Sequence, residues 1–376
     1  MTSGAQGGVA EPHPQGEVVF RTLLPGDHLP SLIQVCGENP RFAFDTMAGR
    51  YQLYGFFLAA EGAEVRDGLE AVLRRRDLFD DVHCAFVGVS ITPADRRERR
   101  FADQGLRVAW DFDLAMSRAC GAVPAEAEPG RSTPVRRMWV LVDPSMHVIR
   151  VYPMRTTSPQ EVIQAVADLP QPDRFGGVVR PAPILLLPNV FEPELCERLI
   201  AMYEAAGGEE SGIYRGGQGV YDHGFKRRKD YTITDPEMLE AVSRRIVRRV
   251  TPEVEKLFFM RANWIERQII GCYSAEDGGH FAPHTDNGPG ATAHRRFAVS
   301  VNLSGGFEGG EVVFPEYNLQ GYKAPPGWAV VFPCAILHAV RRVTRGRRYA
   351  YLPFIYDEGG RAIREAERAR AAAPSG

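Results

Sequence analysis

Cys272-Tyr273-Ser-Ala-Glu-Asp-Gly-Gly-His280-Phe-Ala-Pro-His284-Thr-Asp286-Asn287 is the stretch from which the fold of the C-terminal half can be read. An apolar run of strand character (268–273) leads into it. A Gly-Gly pair then turns the chain, and His284 and Asp286 follow two residues apart. In a strand, or at its edge, residues i and i+2 emerge on one face, so an imidazole and a carboxylate can reach the same ion. A second imidazole, His338, lies further along in another strand-like run (338–343). Two imidazoles and one carboxylate cover one face of an octahedral metal and leave three positions open, which is the facial triad of non-haem Fe(II) sites. His284, Asp286 and His338 are therefore the candidate metal ligands and the candidate catalytic centre.

A His-x-Asp triplet alone is weak, because surface turns also carry it; its company decides. Tyr273 precedes it in a strand, Val301-Asn-Leu-Ser-Gly-Gly-Phe-Glu-Gly-Gly-Glu-Val-Val-Phe-Pro315 follows, and His338 is succeeded by Val343-Thr-Arg-Gly-Arg347-Arg348-Tyr349. These three ordered blocks resemble the prolyl 4-hydroxylase-like branch of the 2-oxoglutarate and Fe(II)-dependent dioxygenases, over about the last half of the chain. The resemblance implies a double-stranded β-helix (jelly roll) with flanking helices. It implies Fe(II) on the triad, 2-oxoglutarate and O2 as cosubstrates, and ascorbate as an accessory reductant. Arg348 is expected to grip the distal carboxylate of 2-oxoglutarate, and Tyr273 to hydrogen-bond the cosubstrate. The implied reaction hydroxylates an unactivated C–H and releases succinate and CO2. Its substrate would be a peptidyl or free amino-acid side chain, with proline as the family default, or a small metabolite.

Physical chemistry supports the arginine independently, since a dicarboxylate in a narrow barrel needs a permanently charged, bidentate partner. Arg347 is the alternative, because successive strand residues face opposite ways and only one of the two can point inward. Family spacing favours Arg348. His280, His294 and His223 lack a carboxylate two residues on and are read as loop or pocket-wall residues. Lys226-Arg-Arg-Lys229 could guide an acidic substrate, but a charge run is usually a solvated face. The glycines of Ser304-Gly-Gly-Phe-Glu-Gly-Gly310 lie between strands with no Lys-Ser or helix after them, so they read as a turn and not as a phosphate loop.

Working outward, 169–183 holds four prolines and a Gly-Gly pair that interrupt all periodicity. The reading is a leader over 1–16 that stays disordered, a first domain over 17–169, a linker over 170–183, an oxygenase domain over 184–361 and a fraying helical tail over 362–376. In the second domain helices (193–206 and 235–259) precede short strands (268–273, 297–303, 311–314, 328–332, 338–343, 348–355). In the first, strands (51–58, 82–91, 106–110) alternate with helices (64–76, 93–104). A short helix (113–120), two adjacent strands (138–142, 148–152) and a closing helix (158–169) follow. That order is α/β with parallel pairing, and thioredoxin-like.

Pro25-Gly-Asp-His-Leu-Pro30, Val87-Gly-Val-Ser90 and Trp139-Val-Leu-Val-Asp143 resemble the peroxiredoxin branch of that fold. A peroxiredoxin needs a low-pKa thiolate at a helix N-terminus, in Thr-x-x-Cys. The matching stretch, Leu58-Ala-Ala-Glu-Gly-Ala-Glu-Val65, has neither Thr nor Cys. Arg136 or Arg137 is then a relic of the anion-stabilising arginine, and the domain is expected to be a redox-silent binding module.

The 376 residues are 44% hydrophobic and 24% charged, with a net charge of −2. Such a balance argues against nucleic acid and membrane partners, and no run is long enough to span a bilayer. Neither a signal peptide nor a paired-cysteine motif is seen, so a cytoplasmic location with reduced, buried thiols is expected. A homodimer is expected by analogy. Two other readings remain: a thiol peroxidase with an accessory barrel, disfavoured by the missing cysteine, and a non-catalytic binding protein, disfavoured by a complete ligand set.

Overall fold

The computed structural model describes residues 18–101, 106–215, 218–288 and 290–372. The expected leader over 1–16, the end of the helix expected over 93–104 and the last residues of the tail lie outside them. Two compact units are present: Met1–Phe44 with Tyr51–Leu169, and Asp45–Arg50 with Pro170–Gly376.

The first unit is built on a seven-stranded sheet. Tyr51–Leu58, Cys84–Ser90 and Val108–Trp110 lie side by side in parallel. They are buried along their whole length, which is why they read as continuous apolar runs and not as alternating ones. The helices Ala63–Arg74 and Pro93–Arg97 fall between them in sequence. The second is shorter than expected, because Arg99 turns left-handed (φ 53°) and the Arg100 amide bonds back to the Asp95 carbonyl. Met138–Val142 and Val148–Pro153 extend the sheet antiparallel. The opposite edge is a hairpin, Ile33–Cys36 with Asn39–Ala43, that periodicity did not reveal. Its outer strand is polar, carries Pro40 and so suits only an edge. Buried Asp111 starts the helix Ala115–Cys120 by accepting the amides of Met116 (2.9 Å) and Ser117 (2.7 Å).

In the second unit, Pro193–Ala206 forms one helix as expected, but the helix expected over 235–259 is two, Pro236–Arg249 and Thr251–Phe258. Pro252 has no N–H to continue the ladder. Asp235 caps the first of the two, its carboxylate accepting the Met238 amide at 2.7 Å. Leu195, Leu199, Tyr203, Met238, Val242 and Ile246 pack these helices on a nine-stranded sheet. Its central strands are Phe297–Asn302, Arg347–Tyr351 and Ile269–Ser274.

A five-stranded sheet places His280–His284 beside His338–Val340, with Lys226–Arg227, Val312–Val313 and Gly321–Tyr322 completing it. All of these pairings are antiparallel. Two expected strands are broken. The one over 338–343 stops at Val340, because Arg341 and Arg342 bond to the turn at Gly310 and Glu311. The one over 348–355 stops at Tyr351, before Pro353. The tail forms a helix, Glu358–Ala372. No helix among the described residues is long and apolar enough to cross a membrane.

Candidate functional site

His284 closes its strand, and the register sets it directly opposite His338 on the next one. Asp286 lies two residues further, in a bend beyond the strand end, held where its amide donates to the Cys334 carbonyl at 2.9 Å. One ligand atom from each of the three falls within 4.8 Å of the others. His284 Nδ1 is 2.8 Å from the Ala282 carbonyl and His338 Nδ1 3.2 Å from the Ile336 carbonyl. A carbonyl oxygen only accepts, so each Nδ1 carries a proton, and in the neutral, metal-ligating form of each ring it is Nε2 that presents the lone pair. These two nitrogens lie 3.7 Å and 3.2 Å from the Asp286 carboxylate. Burial, and then the second imidazole, push the His284 pKa down to about 3, so its ring is neutral. Three lone-pair donors converging in this way fit a cation. Phe281 stacks on the His284 ring (3.5 Å between centroids) and Phe332 packs on His338 (4.5 Å), so neither imidazole is free to swing away.

A cavity opens over the triad, its lining including the apolar Ala298, Val312, Phe332, Val340 and Phe354 and the polar Tyr273, Ser300 and Arg348. Arg348 is only 4% exposed. It donates to Ser300 Oγ at 3.0 Å and stands over the Tyr273 ring. Among the described residues no carboxylate pairs with it. Gly310 (φ 72°) makes room for it, since a Cβ there would come 3.2 Å from Arg348 Cδ. Arg347 faces away, partly in solvent, near Glu276 and Glu204. Tyr273 is buried, and its hydroxyl accepts from Arg228 Nη1 at 3.2 Å. Arg228 can only donate, so the phenolic proton is left for a ligand.

The basic run is where sequence reasoning fell short. Lys226 and Arg228 are buried, 5% and 7% exposed, while Arg227 and Lys229 face solvent. Only half of the run is a solvated face. Arg228 holds Asp230 with two bonds, Nε to Oδ1 at 2.6 Å and Nη2 to Oδ2 at 2.8 Å. Arg267 reaches the same carboxylate at 3.3 Å from a left-handed backbone (φ 56°). Both arginines line the cavity. Burial alternates over 226–229 with the strand period, but the four basic residues carry no such alternation in the sequence. The other histidines stay out of the cavity lining: His280 bonds to the carbonyls of Gly278 and Gly224, His223 pairs with Glu210 in solvent, and His294 is buried 2.9 Å from Glu266.

A sequence model described as the 2OG-Fe(II) oxygenase superfamily matches residues 269–356. A PKHD-type hydroxylase of Paraburkholderia phymatum is 33% identical over 178 residues, spanning 44% of this chain and 75% of the relative. The chain belongs to the 2OG-Fe(II) oxygenase superfamily. It is an oxidoreductase, a dioxygenase whose relatives are hydroxylases. Against a PKHD-type hydroxylase of Gluconobacter oxydans the match is 39% identical over 84 residues, 20% of this chain and 37% of the relative. Among solved structures, a Pseudomonas putida prolyl-4-hydroxylase is 15% identical, covering 47% of this chain and 93% of its own (TM-score 0.38). A peroxidoxin of Mycobacterium tuberculosis is 15% identical, covering 39% of this chain and 95% of its own (TM-score 0.34).

The first unit of this oxygenase has a charge pair at the start of the helix Ala63–Arg74. Arg137 Nη1 bonds Glu64 Oε1 at 2.6 Å, and its Nε donates to the Phe57 carbonyl. Of the two arginines singled out in the sequence it is therefore Arg137, not Arg136, that sits there. It neutralises a carboxylate. All six cysteines are buried and free. Burial pushes the thiols of Cys36, Cys196 and Cys272 up to about 11 and that of Cys120 up to about 12, and raises those of Cys84 and Cys334 too. None is a thiolate near neutrality, the state that reactive cysteines require.

Proposed function

We propose that this oxygenase binds Fe(II) through His284, Asp286 and His338 and hydroxylates an unactivated C–H of a peptidyl or free amino-acid side chain or of a small metabolite. The observation that carries the reading is the convergence of two Nε2 lone pairs and one carboxylate in a cavity whose lining also holds a buried arginine that no carboxylate among the described residues pairs with. When bound, iron with 2-oxoglutarate and O2 supplies the oxidising power, and succinate and CO2 leave as coproducts.

The chain's own residues position and exclude. Arg348, steadied by Ser300, receives the distal carboxylate of 2-oxoglutarate by charge-assisted hydrogen bonds. Tyr273 donates its remaining proton to the same cosubstrate. The carbonyls of Ala282 and Ile336 fix the imidazole tautomers, so that Nε2 faces the metal. Val312, Val340, Phe332 and Phe354 keep water from the reacting carbon. The nine- and five-stranded sheets of the second unit are read as the double-stranded β-helix that presents these groups. A thiol peroxidase is disfavoured by the raised thiols, and the first unit is proposed to be a redox-silent binding module.

The test is anaerobic addition of Fe(II) and 2-oxoglutarate to the metal-free protein, in wild type and His338→Ala. A weak visible charge-transfer band in the wild type alone supports both the cosubstrate and the triad. Iron binding with no band in the wild type would sink the 2-oxoglutarate assignment.

A further inference from the structure

Three guanidiniums, those of Arg228, Arg267 and Arg348, line the cavity over the triad; among the described residues two carboxylates either line it or lie in salt-bridge reach of these arginines, Asp286 and Asp230. The proposed function assigns Asp286 to the metal. A divalent ion and a dicarboxylate cosubstrate cancel one another's charge, so filling the site as proposed still leaves one positive charge in excess. Lys226, 5% exposed and 5.0 Å from the Phe281 ring, adds little to this count near neutrality, because burial and then Arg228 push its ammonium pKa down to about 6. An uncompensated charge in a dry cavity is costly unless a ligand completes it.

The excess is built into the fold. Gly271 lies opposite Asp230 in the paired strands. A Cβ on it would come 2.9 Å from Arg228 Cδ and 2.8 Å from Leu352 Cδ1, so the strand gives up a side chain to admit the guanidinium. Arg267 is held in a left-handed conformation that non-glycine residues rarely adopt. Strain of this kind gathers at ligand sites.

The three arginines are not equivalent. Arg348 is 4% exposed, the Arg228 side chain likewise 4%, and the Arg267 side chain 31%. Arg267 is thus the member that reaches solvent. It spends one Nη2 contact on Asp230, which Arg228 already grips twice. Among the described residues its side chain makes no other hydrogen bond, so its remaining N–H donors can meet an incoming anion.

We infer that the substrate of this oxygenase carries a carboxylate, received at the solvent-facing side of the cavity by Arg267, with Asp230, itself gripped by Arg228, holding Arg267 in place. The inference rests on the proposed function and names its substrate class: an acid with an apolar body, matching the cluster of Phe281, Phe332 and Phe354 beside the charges. That carboxylate belongs either to a free small acid or to an acidic side chain of a peptide.

The experiment measures binding heats to the full chain loaded with Mn(II), a redox-inert substitute for iron, and saturating 2-oxoglutarate. One arm compares n-alkanoates from butanoate to octanoate with their primary amides. The other compares acetyl-Gly-Glu-Gly-amide with its Gln counterpart. In one arm or the other, the acid is expected to bind about tenfold or more tightly than the neutral match, the effect of a charge-assisted pair. Preference in the first arm identifies a free acid and in the second an acidic peptide. Arg267→Gln should erase the preference and Arg267→Lys keep part of it, with the affinity for 2-oxoglutarate unchanged in both. Equal binding of acid and neutral match in both arms, or an equal loss of acid and 2-oxoglutarate affinity in Arg267→Gln, overturns the inference alone. Failure of the wild type to bind 2-oxoglutarate overturns the proposed function and the inference with it.

Discussion

Arg347 and Arg348 are adjacent in one strand, yet Arg347 leaves 45% of its side chain in solvent while Arg348 is buried to 4%. On the proposed role of Arg348, removing it leaves the cosubstrate carboxylate unpaired in a dry cavity. Truncation of such a pair costs about 2–5 kcal/mol. Arg348→Gln should therefore weaken 2-oxoglutarate binding by a hundredfold or so while leaving metal affinity intact, and Arg347→Gln should change neither. Titration calorimetry of both variants decides it; a larger effect at Arg347 would reverse the assignment.

Asp230 is the shared counter-ion of two cavity arginines. Burial alone would push its carboxyl up, but Arg228 and Arg267 pull it down to about 2. Asp230→Ala strands a buried guanidinium and should destabilise the protein by about 3–5 kcal/mol, read as a lower urea midpoint. A carboxyl depressed on folding stabilises above its ordinary pKa and loses that contribution as the pH falls. The wild-type margin over the variant should thus be full above about pH 4 and shrink towards pH 2. A margin that does not change with pH would contradict the pairing.

Asp111 behaves in the opposite sense. Burial pushes its carboxyl up to about 6, even though the amides of Met116 and Ser117 donate to it. Between its unfolded pKa near 4 and about 6, the folded chain holds a proton that the unfolded chain has lost. Its contribution is complete below about pH 4 and is lost as the pH rises through 6, on the order of 3 kcal/mol. Asp111→Asn should flatten that part of the stability profile, as chemical denaturation at pH 4.5 and 7 would show.

The six thiols should be silent. Native protein is expected to react with Ellman's reagent only slowly, to release all six thiols on unfolding, and to consume hydrogen peroxide no faster than free cysteine does. Rapid labelling of even one thiol together with peroxide turnover would restore the peroxidase reading.

The candidate triad was legible because metal chemistry restricts residue type. Two His and one Asp, with the spacing of a strand edge, leave few other readings, and the register of His284 against His338 supplied what sequence could not. Long buried strands such as Tyr51–Leu58 were legible for the same reason that they are stable, a continuous apolar run. Strands of two to four residues, such as Lys226–Arg227 and Lys229–Thr232, were not, because so short a segment has no measurable period. The cationic wall was hidden with them: Lys226 and Arg228 look like solvated charge until strand pairing turns them inward. Arg267 gave no signal at all, since a single arginine between short strands is unremarkable until its backbone angle is known.

That angle sets a trap for anyone improving this protein. Arg267 occupies a conformation that costs a side chain about 1–2 kcal/mol and that glycine adopts freely. A campaign scored on heat resistance alone would be drawn to replace it, and would count the exchange a success. What it would discard is the one cavity arginine that touches solvent. Screening for robustness at this position therefore has to be coupled to turnover, because the two properties pull the same residue in opposite directions.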